Sequence, residues 1–334
     1  MAKISVIGSG SWGLALSSTL VQNNHDVLVW SFFEEEVDEI NNDHKARKYF
    51  EEMPLDQRVK ASSNLEEVLN FSDVILMAIP TKFYRDTLVS INKNLSGKKL
   101  FVNASKGIEP GTYKLIDEII SEEISPEFLK GIVILTGPSH AEELILNQIT
   151  LVTSASNNID DAKLVQELFS NDFLRVYASS DILGAQLGSS LKNVIALASG
   201  VIAGLGFGDN TRAALVTRGL TEMIRYAEFK GANKETMYGL TGLGDLVVTA
   251  TSVHSRNFQA GFRIGQGEDP QESVAKSVMV VEGIRTAKAV VEQLEDTDIE
   301  MPIFESVYDI FYNNVEVKDA IKRLMQRELK IEQN

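Results

Sequence analysis

Short apolar runs alternate with amphipathic stretches over the first half of this chain. Runs rich in β-branched residues predict strands at 4–7, 27–30, 74–78, 100–103, 132–135 and 150–154, with a shorter one at 174–177. Strands that are apolar throughout and alternate with helices are typical of a parallel sheet covered on both faces. The pattern therefore predicts a doubly wound α/β fold for this half.

After residue 179 the apolar positions recur at helical spacing. Helices are predicted over about 181–204, 211–230, 256–266, 271–275, 283–294, 303–313 and 317–330. Ser180 or Asp181 can cap the first of them. At 334 residues the chain is long enough for two domains. We expect an α/β domain at 1–179 and an all-helical domain, which would carry substrate and catalytic residues, at 180–334.

Composition excludes several classes of function. The net charge of -15 argues against nucleic acid or an anionic membrane as partner, and the absence of cysteine excludes disulfides, thiolate zinc sites and covalent thiol chemistry. The four histidines lack metal-ligand spacing, so no metal is expected. The longest apolar run, 194–207, is shorter than the roughly 20 residues of a membrane span, and the first strand leaves no room for a signal peptide. We expect a cytoplasmic protein.

The most specific motif lies between the first two predicted strands. Gly8, Gly10 and Gly13 form G-x-G-x-x-G between an apolar strand and a helical pattern. In that context the first glycine allows a tight turn, the second a close backbone approach to a pyrophosphate, and the third close packing of helix on strand. The helix N-terminus adds unpaired N–H groups. The motif predicts a bound dinucleotide.

Four loops follow predicted strands, at 8–13, 79–81, 104–107 and 136–140. In doubly wound sheets, ligands bind at the carboxyl ends of the strands, so these loops should converge. One of them carries Lys106, in NASKG. We expect this lysine to hold a phosphate or polarise a carbonyl, although it is also compatible with a surface lysine beside a turn glycine.

Lys192 is the strongest catalytic candidate. It lies in a helical stretch that is otherwise apolar or small, and lysines are seldom buried without a reason. Desolvation lowers the pKa of a lysine and suits it to general acid–base catalysis near neutral pH. The alternative is a lysine that extends along a packed helix to water. Asn193 would orient a hydroxyl or carbonyl, and Asp245, in TGLGDL, would either pair with Lys192 or cap a helix.

A predicted anion site follows at Ser255, Arg256 and Asn257. The three residues bring a hydroxyl, a guanidinium and an amide together just before a helical run. The planar fork of arginine matches phosphate oxygens, and Ser255 as an N-cap would place a helix terminus at the same point. A capping role and a phosphate site are compatible.

Taken together, these motifs closely resemble those of the bacterial type of NAD(P)-dependent sn-glycerol-3-phosphate dehydrogenase. The matching segments span the chain: GSGSWG at 8–13, SKG at 105–107, GPSHAEE at 137–143, LKNVIA at 191–196, NTRAAL at 210–215, GLGDL at 242–246, HSRN at 254–257, VEG at 281–283, MPI at 301–303 and LMQR at 324–327.

The resemblance implies a Rossmann domain, a helical domain and an active site between them. It implies reversible reduction of dihydroxyacetone phosphate to sn-glycerol 3-phosphate for glycerophospholipids, in a homodimer that uses NAD or NADP. Lys192 would be the proton donor and acceptor. The implied substrate contacts are Lys106, Gly137, Ser139, Lys192, Asp245, Ser255, Arg256 and Asn257. The implied cofactor contacts outside the glycines are Ser11, Trp12, Lys106, Ala141, Arg256, Val280 and Glu282.

The chain departs from the family pattern after the second strand. Where a basic residue or histidine is common, this chain has SFFE at 31–34, and Tyr-Leu-Pro is replaced by YFE at 49–51; His140 stands where an aromatic is common. The rings of Phe32 and Phe33 can stack on adenine but cannot bind a phosphate strongly, so Phe32 is a candidate cofactor contact, and Glu34 lies about where an acid would meet the ribose. We therefore expect NADH to be used at least as well as NADPH, unless Lys45 or Arg47 folds back onto the ribose.

Two other functions fit parts of the pattern. One is a related reductase, similar to 6-phosphogluconate dehydrogenase, acting on a 3-hydroxy acid or a ketopantoate-like substrate. The phosphate-type segment at 254–257 argues against it. The other is a dinucleotide-sensing module without enzymatic activity, which would have no reason to place a lysine on a small-residue helical stripe.

Overall fold

The structure is a computed structural model that describes residues 1–50, 54–109, 111–253, 255–275, 281–329 and 331–332. The first half of the chain forms a sheet with helices on both faces. Its strands are β1 Lys3–Ile7, β2 Asp26–Trp30, β3 Lys60–Ser62, β4 Val74–Met77, β5 Lys99–Asn103, β6 Leu129–Thr136, β7 Thr150–Ala155 and β8 Leu174–Ser179. Its helices are α1 Ser11–Gln22, α2 Glu34–Asp38, α3 Leu65–Phe71, α4 Tyr84–Lys93, α5 Ile116–Glu123, α6 Ala141–Ile145 and α7 Ile159–Phe169.

The strand order is β3-β2-β1-β4-β5-β6-β7-β8. The order reverses at β1, whose Ile7 pairs with Trp30 of β2 on one side and with Met77 of β4 on the other. This reversal is the point at which a doubly wound sheet opens a ligand crevice. The predicted α/β architecture is confirmed.

The expectation of an all-parallel sheet is wrong at one pair, because β6 and β7 are antiparallel. The strand β6 has eight residues, or about 26 Å, whereas the five-residue helix α6 that follows spans about 7.5 Å. That helix is too short to return the chain to the level at which β6 begins, so β7 starts beside the end of β6 and runs antiparallel to it. The strand β3 was also not predicted, because its three residues, KAS, do not form an apolar run.

The second half of the described chain is helical. Its helices are α8 Ile182–Gly204, α9 Asp209–Phe229, α10 Lys234–Tyr238, α11 Asp245–Thr251, α12 Arg256–Gly265, α13 Pro270–Ala275, α14 Glu282–Leu294, α15 Pro302–Tyr312 and α16 Val317–Met325. Two of them, α10 and α11, were not predicted, and α16 ends at Met325 instead of near residue 330. Asp181 is the cap of α8, since its carboxylate accepts from Gly184 N at 2.9 Å.

The central helix α8 packs closely against α12. A Cβ on Gly200 would lie 2.1 Å from Phe258 O, and one on Gly261 would lie 2.0 Å from Leu197 O. The absence of side chains at these two positions lets the backbones approach, which sets the start of α12 beside the middle of α8. By length and composition α8 could cross a membrane, but 83% of its most apolar window is buried inside the protein.

The hydrophobic core has three parts. Two lie on the two faces of the sheet, and the third fills the helical domain. Ile108 and Leu115, from the segment after β5, belong to the helical core. Asp117 and Gln186 pair reciprocally across the same boundary, with Gln186 Nε2 donating to Asp117 Oδ1 at 2.8 Å and Asp117 N donating to Gln186 Oε1 at 3.2 Å. These contacts hold the two domains on either side of one crevice.

Candidate active site

The glycine-rich loop after β1 has the geometry of a dinucleotide site. Gly8 has φ +115° and a Cβ there would lie 2.5 Å from Ala78 O, whereas a Cβ on Gly13 would lie 2.3 Å from Gly8 O. Gly10, by contrast, has nothing within 4 Å of its Cβ position. Its exposed backbone therefore leaves room for a ligand, while the other two glycines keep the turn and helix tightly packed.

The helix that follows this loop suits an anion. Helix α1 begins at Ser11, no side chain caps it, and its first turn holds no acidic residue. Its free N–H groups and positive dipole end therefore remain available to a pyrophosphate. Trp12 lies in the same turn and is partly exposed. These features fit NAD or NADP.

Lys106 lies in the loop after β5 and points across the crevice. Its Nζ donates to Gly137 O at 3.1 Å and to Asp245 Oδ2 at 2.8 Å. The loop itself is fixed by Thr81, whose Oγ1 donates to Lys106 O at 2.9 Å. Because 21% of the Lys106 side chain remains exposed, a ligand in the crevice can reach it.

Lys192 is buried in the middle of α8 and faces the same carboxylate. Its Nζ donates to Asp245 Oδ1 and also to Thr249 Oγ1 at 2.6 Å. Burial lowers the pKa of Lys192 to about 7; the Lys106 ammonium acts in the same sense and the Asp245 carboxylate opposes it. The ammonium therefore exchanges its proton near neutral pH, as a general acid–base group must.

Asp245 pairs with Lys192, and the alternative of a capping role is wrong, because the N-cap of α11 is Gly244 and no side chain caps that helix. It is the first residue of α11 and is fully buried. One turn later, Thr249 Oγ1 donates to Asp245 O at 2.6 Å and lies against Lys192. Sequence reasoning missed Thr249, although its i+4 spacing from Asp245 would have placed it on the same helix face.

Two asparagines connect the start of α12 to α8. Asn257 Nδ2 donates to Asn193 Oδ1 at 3.1 Å, and Asn257 Oδ1 accepts from Gly283 N at 2.9 Å. Both side chains are buried. Asn257 thus holds Asn193, the neighbour of Lys192, in a defined orientation and ties it to the start of α14.

The predicted anion site lies at the N-terminus of α12. Ser255 is the N-cap, and its Oγ accepts from Phe258 N at 3.3 Å. Arg256 is the first residue of the helix and is exposed at the crevice end next to Asn257. The first turn has no acidic residue. A guanidinium and a helix N-terminus are therefore presented together.

The remaining predicted residues are distributed around the crevice. Ser139 Oγ donates to Gly137 O at 3.0 Å, and Ala141 starts α6 and is buried. Glu282 starts α14 with one carboxylate oxygen near Gly107. Burial raises the pKa of its carboxyl, although the nearby Arg285 and Arg256 act to lower it. Val280 lies outside the described residues.

The segment after β2 differs from the expectation in one respect. Phe32 is 75% exposed and makes edge contacts with Trp30 and Phe33. Glu34 is exposed at the start of α2, whereas Glu36 turns back toward the glycine-rich loop and accepts from Ser31 Oγ at 2.8 Å. The acid nearest the end of β2 is therefore Glu36.

Comparison with known proteins shows the family of this chain. A family model described as the N-terminus of NAD-dependent glycerol-3-phosphate dehydrogenase matches residues 3–162, and one described as its C-terminus matches residues 181–322. A glycerol-3-phosphate dehydrogenase [NAD(P)+] of Staphylococcus aureus is 46% identical over 332 residues, which cover 99% of this chain and all of that protein.

Solved structures show the same similarity. The crystal structure of a glycerol-3-phosphate dehydrogenase from Coxiella burnetii is 32% identical, with a TM-score of 0.90 over 98% of this chain and 99% of that one. A glycerol-3-phosphate dehydrogenase from Saccharomyces cerevisiae is 27% identical, with a TM-score of 0.85 over 97% and 99% of the two chains. A ketopantoate reductase from Ralstonia eutropha, at 14% identity and a TM-score of 0.59, shares the fold alone.

Proposed function

The chain belongs to the NAD-dependent glycerol-3-phosphate dehydrogenase family, and we propose that Lys192, Asp245 and Lys106 carry its reaction. It is an NAD(P)-dependent oxidoreductase that interconverts dihydroxyacetone phosphate and sn-glycerol 3-phosphate. The observation that supports these residue roles is the pairing of one buried carboxylate with two lysines, one from each side of the crevice.

Lys192 is the proposed proton donor to the carbonyl oxygen of the ketone. The nicotinamide supplies or accepts the hydride when it is bound. Negative charge develops on the substrate oxygen in the transition state, and a positioned ammonium both stabilises it and provides the proton. In the reverse direction neutral Lys192 takes the proton from the hydroxyl. Asp245 and Thr249 hold the Lys192 side chain in place for both steps.

Lys106 and Arg256 are the proposed substrate-binding cations. Lys106, partly exposed between Gly137 and Asp245, would bind substrate oxygens near the reacting carbon. Arg256 would bind the phosphate together with the N-terminus of α12, because a guanidinium pairs in two-pronged fashion with phosphate oxygens. The other proposed substrate contacts are Gly137, Ser139, Asn193, Ser255 and Asn257.

The proposed cofactor site runs from the glycine-rich loop to the start of α14. The N-terminus of α1, with Ser11 and Trp12, would hold the pyrophosphate, and the exposed ring of Phe32 would cover the adenine. The nicotinamide end of the proposed site would be lined by Lys106, Ala141, Arg256 and Glu282.

We further propose a domain boundary between residues 179 and 180. The boundary is supported by the end of β8 at Ser179 and the capping of α8 by Asp181. We also propose that the enzyme acts in the cytoplasm as a homodimer and supplies glycerol 3-phosphate for glycerophospholipid synthesis. Light scattering tests the dimer: a mass of twice the 36.9 kDa chain is expected, and the mass of a single chain would contradict it.

The decisive experiment mixes the protein with dihydroxyacetone phosphate and NADH or NADPH and follows near-ultraviolet absorbance. We expect loss of absorbance that depends on both substrate and protein. Dihydroxyacetone, without phosphate, and ketopantoate, with a carboxylate, are the comparison substrates, and Lys192→Met is the control protein. Equal rates with ketopantoate, or a fully active Lys192→Met, would contradict the proposed site.

A further inference from the structure

A single carboxylate connects the glycine-rich loop to the end of β2. Glu36, on α2, accepts hydrogen bonds at Oε2 from Ser9 Oγ and from Ser31 Oγ, the latter at 2.8 Å. Ser31 Oγ in turn accepts from Phe33 N at 3.2 Å. Both serines are buried, and 19% of the Glu36 side chain is exposed. The carboxylate is therefore held in one orientation while it still faces solvent.

The charge state of this carboxylate is well defined. Burial opposes ionisation, but the hydrogen bonds from Ser9, Ser31 and Lys48 outweigh it and lower the pKa of the Glu36 carboxyl below its ordinary value. Glu36 is therefore an anion at neutral pH. The two serines bond Oε2, whereas Oε1 lies on the solvent side, where Lys48 Nζ donates to it at 3.2 Å. A ligand hydroxyl would therefore approach Oε1 beside or in place of Lys48.

The position of Glu36 has a meaning in this fold. Ser9 lies between Gly8 and Gly10, in the turn that suits a pyrophosphate, and Ser31 directly follows β2. In dinucleotide-binding sheets an acid at this point accepts hydrogen bonds from the adenosine ribose hydroxyls. Here the position after the strand is Ser31, and the carboxylate reaches the same point from one helix further along.

We propose that Glu36 binds the adenosine ribose of NAD(H) and excludes the 2′-phosphate of NADP(H). The proposal rests on the cofactor site proposed above and selects between the two cofactors that site accepts. A ribose 2′-hydroxyl donates to the carboxylate. A phosphate at the same carbon brings a dianion against a fixed anion that two buried serines hold in place, so its binding is opposed by repulsion.

The alternative outcome, a preference for NADPH, depends on the basic side chains near Glu36. Arg47 is exposed and pairs with Glu39 and Asp43, so it does not occupy the ribose position that its sequence proximity suggested. Lys48 is closer: its side chain is 63% exposed, and it pairs with Glu36 and lies over the rings of Phe33 and Tyr49. If Lys48 released Glu36 and bound a 2′-phosphate, the preference would be for NADPH.

Direct binding measurements distinguish these outcomes. The chain contains two tryptophans, Trp12 and Trp30, which flank the glycine-rich loop and the end of β2, so quenching of their fluorescence reports cofactor binding without substrate. The probes are NADH, NADPH and the fragment pair ADP and 2′,5′-ADP. Glu36→Gln removes the charge with little change of shape. Glu35→Gln, on the same helix but exposed, is the matched control.

We expect the parent protein to bind NADH at least about tenfold more tightly than NADPH. The 2′-hydroxyl of NADH donates a hydrogen bond to the Glu36 carboxylate, whereas the 2′-phosphate of NADPH is repelled by it. Glu36→Gln should reduce this ratio by about tenfold or more, chiefly through tighter NADPH binding, and the fragment pair should change in the same sense. Glu35→Gln should leave the ratio within about threefold of the parent, since an exposed charge is screened.

Three results would overturn the proposal. They are tighter binding of NADPH by the parent, equal changes of the ratio in the two glutamine variants, and weaker NADPH binding by Lys48→Met, which would assign the 2′-phosphate to Lys48. The assay contains no dihydroxyacetone phosphate. A failure of cofactor selection is therefore distinguishable from a failure of the proposed reaction, which the turnover assay detects separately.

Discussion

Lys106 and Lys192 bind the two oxygens of one carboxylate, although they belong to different domains. The carboxylate is that of Asp245, which is fully buried. When Lys192 is protonated, the two ammonium groups share one carboxylate and leave a net positive charge beside Asp245. That charge favours an anionic substrate oxygen, and the proximity of Lys106 lowers the pKa of Lys192.

Replacement of Lys192 tests the proton transfer. Lys192→Met should retain the fold and the cofactor affinity but lower kcat by about 10²–10⁴, the usual loss when a general acid is removed. Lys99→Met is the matched control, because Lys99 is also buried, but its Nζ donates to Ser72 O and Asp73 Oδ1 at the start of β5, the end of the strand away from the crevice. Activity of Lys192→Met within about threefold of the parent would remove Lys192 from the mechanism.

The pH dependence of the reaction should have opposite signs in the two directions. The pKa of Lys192 is about 7. Ketone reduction needs the protonated lysine, so its kcat should fall as pH rises through about 7. Alcohol oxidation needs the neutral lysine, so its kcat should rise over the same range. Profiles of kcat in both directions test this, and two profiles with the same sign would contradict it.

Asp245→Asn should move the reduction profile to lower pH. The negative charge of Asp245 raises the pKa of Lys192 against the effect of burial. An amide retains the shape but loses the charge, so the fall in kcat should occur about 1–3 pH units lower. Asp73→Asn is the control, since it removes the carboxylate partner of Lys99 instead. An unchanged profile in Asp245→Asn would show that this carboxylate does not set the titration.

Arg256→Ala tests the phosphate site. A charge-assisted hydrogen bond contributes about 1.5–3 kcal/mol, so KM for dihydroxyacetone phosphate should rise by about tenfold to more than a hundredfold. Dihydroxyacetone, a poor substrate without the phosphate, should be little affected. Arg323→Ala removes an exposed arginine of α16 as the control. Equal damage to both substrates would show that Arg256 does not bind the phosphate.

Two glycines of the motif should respond differently to alanine. Gly10→Ala has room for its Cβ and a φ of -70°, so the melting temperature should stay close to that of the parent. Its methyl group would occupy the approach to the pyrophosphate, and NADH affinity should fall by about tenfold or more. Gly13→Ala would place its Cβ 2.3 Å from Gly8 O and should lower the melting temperature. Unchanged NADH binding by Gly10→Ala would refute this assignment.

Local patterns in the sequence determined much of this protein. The strand–glycine–helix order at 3–22 requires only neighbouring residues, and the apolar run of α8 is continuous in the chain. Period and composition therefore sufficed to predict the sheet domain and the long central helix, and the glycine spacing predicts the dinucleotide site. Capping by Asp181 and Ser255 was also local, because a cap bonds an amide three residues away.

The tertiary structure decided the relationships between distant segments. Lys192 and Asp245 are 53 residues apart and Lys106 and Asp245 are 139 apart, so no periodicity connects them. The direction of β7 depended on the short span of α6. The formation of β3 depended on its pairing with β2. Glu36, in a run of three glutamates, differs from the other two only because its helix turns it toward Ser9 and Ser31. Packing selects such partners, because side-chain identity alone does not specify which distant group lies within hydrogen-bonding distance.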